Sequence, residues 1–394
     1  MKILIVGQAY YREDNGQATF TVRLARGLQE AGHCVTALTP AQKEATAKER
    51  INGVQVHRFP AWHLPHNANI TFCSRAWLEK MLQEIKPDII HLQDHYFLSR
   101  SAWQASRAQA HLIPVVGTNH FLPQNLTANI PLPARFRARL EPVFWKHMLS
   151  LYNRLAAVTT PTQTAANILI NQGLKVPVSA ISCGVDTNRF KPNQEARKTM
   201  RLQLQINEES DLFLYVGRLD HEKGLREVVD AFADVNSDQA ILVLAGRGSC
   251  LHELQKQVDD KGLADRVLFP GFIAAEDLPR LYNAADCFVM AGFAELQSIV
   301  TLEAMASGLP ILAANACALP ELVRHQENGL LFSPHSATSL AQEWRTFFAM
   351  REKWPAMGQM SRKWAEEHNL TRSVALYATW YEGFLHGAGQ NLTL

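Results

Sequence analysis

Two carboxylates eight positions apart, Glu295 and Glu303, carry the first chemical signal in the chain. Between them runs Leu-Gln-Ser-Ile-Val-Thr-Leu, and after Glu303 come Ala304, Met305 and Ala306. The pattern predicts a helix over 298–307, with Glu295 in the loop before it and Glu303 on an otherwise apolar turn. A carboxylate accepts two hydroxyls at once, which suits a ribose diol or the hydroxyls of a sugar. The amides of Gln297, Ser298 and Ile299 open that helix and are placed to take phosphate oxygens. Helix-dipole stabilisation alone would account for an acidic residue at Glu295. It gives no reason for a carboxylate at Glu303.

A second signal is Gly217-Arg218-Leu-Asp-His-Glu-Lys223-Gly224, lying between a buried apolar run and an amphipathic one. A strand-to-helix loop presents backbone N–H groups, the following helix adds positive potential, and Arg218 and Lys223 add two cations. The set suits a diphosphate, although no G-x-x-x-x-G-K-[ST] loop is present. His120, after Val116-Gly-Thr-Asn, falls where a strand ends, a position from which an imidazole reaches a ligand or serves the fold. The loop Gln8–Gly16 ends in Asp14-Asn15-Gly16. Gly16 either admits a ligand close to the backbone or makes a turn.

These residues need a frame, and the hydropathy pattern supplies one. Strands are predicted at 2–6, 35–38, 88–92 and 113–117, with helices at 17–31, 74–85 and 98–109 between them. After a polar stretch at 191–210, read as a linker, a second alternating series starts at 212–216 and runs to 329–332, with helices to the end. Strand–helix alternation makes an α/β fold of two Rossmann-like, doubly wound parallel sheets, whose ligands bind beyond the carboxyl ends of the strands. The predicted domains are 1–190 and 191–372, facing a cleft. A helix at 373–394 crosses back to the first.

The net charge of +2 conceals an asymmetry. Residues 1–190 hold 20 Lys+Arg against 11 Asp+Glu, and the remainder 19 against 26. A basic first half expects an anionic partner: a membrane surface, a nucleic acid or an acidic substrate. Residues 134–147 interleave Arg135, Arg137, Arg139 and Lys146 with Phe136, Phe144 and Trp145, around Pro142. Such a segment is either a helix lying in a membrane interface or a domain helix with solvated arginines and buried aromatics. The six cysteines form no C-x-x-C pair, which weighs against a zinc site or disulfide framework and fits a cytoplasmic protein. The N-terminal apolar run is too short for a signal peptide, and no apolar run of about 20 residues exists to span a bilayer.

With these motifs in order, the chain resembles the retaining GT-B glycosyltransferases of family 4, the "glycosyl transferase group 1" proteins, over nearly its whole length. Glu295-x7-Glu303 running into Ala-Met-Ala-Ser-Gly-Leu-Pro310 is the most specific part. Val216-Gly-Arg-Leu-x4-Gly224, Gly184-Val-Asp-x3-Phe-x-Pro192 and Asn328-Gly-Leu-Leu-Phe support it. The resemblance implies that Arg218 and Lys223 hold a donor diphosphate, Glu303 the ribose, and Glu295 the transferred sugar. It further implies that the Gln297, Ser298 and Ile299 amides complete the donor pocket, that Ile273 lies against the base, that His120 sits near the sugar at the reaction centre, and that Gly16 lies by the donor phosphate at the domain interface. Two departures concern donor choice and loop shape: Leu296-Gln297-Ser298 replaces the frequent Phe-Gly, and Asn15 precedes Gly16 where two glycines are usual. The Glu-x-Gln form resembles the branch that glycosylates diacylglycerol-type lipids.

The expected reaction is transfer of a hexose from a nucleotide-sugar, UDP-hexose or GDP-mannose, to an acceptor hydroxyl with an α-linked product. No metal or other cofactor is expected, since no D-x-D motif accompanies the two cations. The expected partners are donor, lipid or glycolipid acceptor and an anionic membrane surface, with no nucleic acid, and the expected place is the cytoplasmic face of a membrane. A nucleotide-sugar epimerase of similar form would turn over donor without acceptor. A sugar-nucleotide or membrane-binding protein without catalysis would bind donor and leave it intact.

Overall fold

The computed structural model describes residues 1–8, 10, 15–41, 47–63, 69–71, 73–128, 133–235 and 237–386. Much of the Gln8–Gly16 loop, Asp14 included, and the end of the predicted C-terminal helix lie outside the described residues. The chain forms two compact units. Unit 1 comprises Met1–Pro123, Ala138–Cys183 and Leu370–Leu394; unit 2 comprises Gln124–Arg137 and Gly184–Asn369.

The elements of the first part are β1 (Lys2–Val6), α1 (Gly16–Glu30), β2 (Cys34–Pro40), β3 (Ala47–Ile51), β4 (Val54–Phe59), β5 (Ala61–His63), β6 (Asn69–Thr71), α2 (Arg75–Ile85), β7 (Ile89–Leu92), α3 (Phe97–Ser106), β8 (Val115–Thr118), α4 (Pro123–Thr127), α5 (Ala134–Tyr152), β9 (Ala157–Thr160), α6 (Gln163–Asn171) and β10 (Val178–Ala180). Eight strands make one sheet in the order β10-β9-β8-β7-β1-β2-β4-β3. It is parallel except at one edge, where β3 runs antiparallel to β4 with Ile51 opposite Val54. The parallel pattern read from the sequence did not include this hairpin. Its cause is Asn52-Gly53, a pair of left-handed residues (φ 49° and 81°) that closes a two-residue turn. The exposed Ala-Lys-Glu-Arg of β3 keeps that edge charged, which discourages pairing with another chain.

The second part follows with α7 (Gln194–Gln203), β11 (Asp211–Val216), α8 (Leu225–Asp234), β12 (Ala240–Ala245), α9 (Leu251–Asp260), β13 (Val267–Gly271), α10 (Leu278–Ala284), β14 (Cys287–Met290), α11 (Ile299–Ala306), β15 (Ile311–Ala314), α12 (Leu319–Leu322), β16 (Gly329–Phe332), α13 (Ala337–Ala349) and α14 (Trp354–Glu367). Six parallel strands are ordered β13-β12-β11-β14-β15-β16. Every residue of β11 is buried, as expected for a central strand covered on both faces. Phe213 of β11 meets Trp344 and Phe347 of α13, and Trp344 packs on Phe232 of α8.

The stretch read as a linker is a helix. Asn193 caps α7 by accepting from Ala196 N at 3.0 Å. Arg201 of α7 is fully buried and pairs with Asp286 at 2.7 Å, so the charged composition that resembled a linker is an anchored helix face. The last helix, α15 (Leu370–Leu385), belongs to unit 1. There Val374 fills the space above Gly27 of α1, and Tyr377, Trp380 and Tyr381 are buried.

In both sheets the strand order reverses at the first strand: β1 lies between β7 and β2, and β11 between β14 and β12. The connections leave such a pair in opposite directions, so a crevice opens beyond the carboxyl ends of β1 and β7 and of β11 and β14. Gly16 follows β1, the 217–224 loop follows β11 and Glu295 follows β14.

Candidate functional site

In unit 2, Val216 ends β11 and the chain turns through Gly217 into Arg218–Gly224. Tyr215 Oη donates to Arg218 O at 2.7 Å and holds the turn. The Arg218 guanidinium is gripped by the carboxylates of Asp220 and Glu222. Gly224 is left-handed (φ 62°), and a Cβ there would lie 2.7 Å from Ala291 O beyond β14. That close approach brings the two loops together, and Lys223 Nζ donates to Glu295 Oε1 at 2.6 Å. Both side chains are largely buried, at 15% and 13% exposure, so the pair is held rather than solvated. The lysine and the carboxylate, 72 positions apart in sequence, thus meet at the strand-order reversal.

Ser298 caps α11, accepting from Thr301 N at 3.3 Å. The first-turn amides of a helix have no acceptor within the helix and face outward with positive potential. Glu303 lies one turn further on, 2% exposed, and its Oε2 accepts from Tyr282 Oη at 3.1 Å. Ile273 follows β13 and is half-buried against the core. Its neighbour Phe272 is 53% exposed with the Arg247 guanidinium 5.6 Å from its ring. Neither Arg247 nor Phe272 was singled out from the sequence, although Gly246-Arg247-Gly248 repeats the pattern of a glycine-flanked cation after a strand.

In unit 1, Asn15 caps α1 by accepting from Ala18 N at 2.8 Å. At Gly16 an added Cβ would meet nothing within 4 Å, so the fold itself does not demand glycine there. His120 follows β8; its Nε2 donates to Gln93 Oε1 at 3.1 Å and its ring packs on Phe20 at 4.7 Å. Burial lowers His120 to about 3, although the residue as a whole is only half-buried. His91, fully buried, accepts from Tyr381 Oη at Nδ1 (2.7 Å) and meets Thr118 Oγ1 at Nε2 (2.7 Å). Burial, then the His120 charge, pushes His91 down to about 3, and burial does the same for His95.

A pH dependence follows. Both folded values lie below the ordinary value near 6.5, so the unfolded chain binds more protons between them. Stability is therefore full above about pH 6.5 and is lost as pH falls toward 3. Each histidine is expected to contribute a loss of about 2 kcal/mol between pH 6.5 and 5. Urea unfolding at pH 7 and 5 should show a smaller loss in His91→Asn than in the parent by about that amount. Equal losses would mean that His91 is protonated in the fold.

Residues 196–364 match the family described as glycosyl transferases group 1, and residues 14–189 match glycosyltransferase family 4. The chain belongs to the group 1 glycosyltransferases. Over 340 residues it is 28% identical to alpha-monoglucosyldiacylglycerol synthase of Streptococcus pneumoniae (strain ATCC BAA-255 / R6), covering 84% of this chain and 75% of that protein. Over 190 residues it is 35% identical to a GDP-mannose-dependent alpha-(1-6)-phosphatidylinositol monomannoside mannosyltransferase of Mycobacterium tuberculosis (strain CDC 1551 / Oshkosh), covering 46% and 49%. The structure of sucrose-phosphate synthase from Thermosynechococcus elongatus superposes with a TM-score of 0.82 at 21% identity, over 98% of this chain and 99% of that one. The fold of the glycosyltransferase is GT-B, as expected from its sequence.

The segment weighed as a membrane helix is α5, which runs unbroken through Pro142. Arg135, Phe136, Arg139 and Lys146 of this glycosyltransferase are exposed. Arg137 is half-buried and donates to Ala128 O at 3.0 Å. Trp145 is a correction: at 6% exposure it faces inward, and Phe144 is half-buried. At about 100° per residue the 135–139–143–146 positions share one face and 141–145–148–149 the other. Val143, 62% exposed, joins Phe136 as an outward-facing apolar residue. Among the described residues no helix is long and apolar enough to cross a membrane.

Proposed function

We propose that the glycosyltransferase moves a hexosyl group from a nucleotide-sugar, UDP-hexose in preference to GDP-mannose, to a hydroxyl of a membrane glycerolipid or glycolipid, with an α-glycosidic product. The observation that carries the reading is the Lys223–Glu295 pair at the β11/β14 reversal, beside Arg218 and the first turn of α11. Cations and helix amides suit the diphosphate, and the two carboxylates suit the hydroxyls of sugar and ribose. The lipid acceptor is supported by the likeness to a monoglucosyldiacylglycerol synthase and by the basic face of α5.

In this reading Arg218, fixed by Asp220 and Glu222, and Lys223 stabilise the charge that develops as the diphosphate departs. Preorganised donors of this kind are worth about 3–4 kcal/mol, or roughly 10²–10³ in rate. Glu295 orients the transferred sugar, Glu303 the ribose, and Ile273 flanks the base. The acceptor hydroxyl attacks on the side from which the diphosphate leaves, and the leaving phosphate takes its proton, so configuration is retained without a protein nucleophile. A neutral His120, as its lowered pKa requires at pH 7, brings no charge to the reacting sugar, and with its Nε2–H given to Gln93 its Nδ1 accepts from a sugar hydroxyl. Gly16 keeps the backbone open to the donor phosphate. The two cations supply the positive charge at the diphosphate, so no metal is assigned to the transfer.

Purified protein would be incubated with UDP-glucose, UDP-galactose, UDP-glucuronate or GDP-mannose, with and without mixed micelles of diacylglycerol or a glycosyl-diacylglycerol and without added metal. Nucleotide release from one donor that depends on lipid, with a new α-glycolipid, is the expected result. Turnover only on soluble sugars would discard the lipid acceptor. Donor conversion without any acceptor would indicate an epimerase, and binding without turnover a non-catalytic protein.

The membrane face gives its own prediction. A basic residue at an anionic surface contributes about 1 kcal/mol, so reversing Arg135 and Arg139 to Glu together changes binding by roughly 4 kcal/mol at low salt. Sedimentation with phosphatidylglycerol vesicles should fall at least tenfold, while turnover on a water-soluble acceptor stays unchanged. Undiminished vesicle binding would take α5 out of the membrane contact.

A further inference from the structure

We propose that His221, Cys250 and Glu253 form a binding site for a zinc-class divalent ion, separate from the donor residues. Among the described residues these three bring an imidazole nitrogen, a thiol sulfur and a carboxylate oxygen within 4.8 Å of one another. A mixed nitrogen, sulfur and oxygen set selects zinc-class ions over magnesium or calcium, which require shells of oxygen. Three protein ligands leave a fourth position for water in the tetrahedral arrangement that zinc prefers.

The backbone holds the three in register. Leu219 N donates to Arg247 O at 2.9 Å, and Cys250 N donates to Leu219 O at 2.8 Å. Asp220 Oδ1 accepts from both Ser249 N (2.8 Å) and Ser249 Oγ (2.9 Å). The 217–224 loop and the start of α9 are therefore tied together at 219–220, immediately before His221. Cys250 precedes α9 and Glu253 is three positions later, so both face the same way at the helix N-terminus. His221 is exposed and gives the ion its route in, while Cys250 is buried at 4% exposure and gives it an anchor.

One contact competes. The Arg226 guanidinium pairs with the Glu253 carboxylate, but the two side chains are 60% and 42% exposed. Exposed pairs of this kind are held weakly, and an ion displaces the guanidinium at small cost. On binding, the metal–sulfur bond forms as the Cys250 thiol gives its proton to the buffer; nothing is oxidised or reduced. The bound ion staples the 217–224 loop to α9.

The test uses the full chain without an affinity tag, stripped with chelator and titrated with Zn²⁺ alone against a colorimetric competitor, then with Co²⁺ alone. One equivalent of Zn²⁺, a thiolate-to-cobalt charge-transfer band and a Tm that rises with Zn²⁺ are expected. His221→Ala and Cys250→Ser should each weaken binding at least tenfold, and Cys250→Ser should abolish the band. Because His221 is exposed, its loss leaves the fold intact if the serine variant does not. Cys34→Ser should bind as the parent does, and Arg226→Ala should bind more tightly by removing the competing cation. No stoichiometric uptake by the parent, or unchanged affinity in both His221→Ala and Cys250→Ser, would overturn the proposal.

Discussion

Lys223→Ala is expected to lower kcat by roughly 10²–10³ while costing about 1–3 kcal/mol of stability. The first figure is the effect of removing one preorganised donor from a developing negative charge. The second is the cost of leaving the mostly buried Glu295 carboxylate without its charged partner. Removing the ammonium also leaves Glu295 without its 2.6 Å partner, which by itself repels an anionic donor. The Lys223→Ala/Glu295→Gln double variant separates the two effects: if the loss came only from the exposed carboxylate, the double variant would recover it. Stopped-time assays of nucleotide release at saturating donor, beside urea unfolding, give both quantities. Near-parental kcat in Lys223→Ala would remove the diphosphate role.

For Glu303→Ala the expected change is in donor KM, upward by roughly 10- to 150-fold, with kcat little altered. A hydrogen bond to a buried carboxylate is worth about 1.5–3 kcal/mol, and the ribose keeps the same contact in ground and transition states. Tyr282 Oη, which now donates to Glu303 at 3.1 Å, would lose an acceptor, so a stability cost of about 1–2 kcal/mol is also expected. Glu303→Gln, which keeps an acceptor oxygen, should lie between the parent and Glu303→Ala in KM. An unchanged KM in both variants would mean that Glu303 serves only the packing of α11.

The two predictions rest on residues legible in the sequence for different reasons. Glu303 was recognisable because a charge among alanines and methionine contradicts its own helix face, and such a contradiction is costly unless something uses it. Lys223 was recognisable only as a member of a glycine-bounded loop after an apolar run. Its pairing with Glu295 was not, because a contact across 72 positions depends on which strands become neighbours. The same limit hid the zinc-class set: with no C-x-x-C spacing the sequence weighed against a metal, and only the ties between 219–220 and 247–250 bring His221 to Cys250 and Glu253.

Local rules also reached the elements unevenly. The central strands β1, β11 and β14 were legible because a strand buried on both faces must be a continuous apolar run. Helix α7 was missed because its inward side is made by Met200 and a buried arginine, and a charge paired inside the fold looks in sequence like a charge in water. Trp145 was assigned to the surface with its neighbours because the basic and aromatic residues alternate too closely for periodicity alone to sort them.

What the sequence by itself determined is the alternation of strands and helices, the two parallel sheets and the residue types suited to a sugar nucleotide, since these follow from local periodicity and the chemistry of single side chains. Tertiary structure alone decided the strand order, the Lys223–Glu295 and Arg201–Asp286 pairs and the outward face of α5. Each of these is a choice between partners far apart in the chain, and that choice is made by the packing of whole elements.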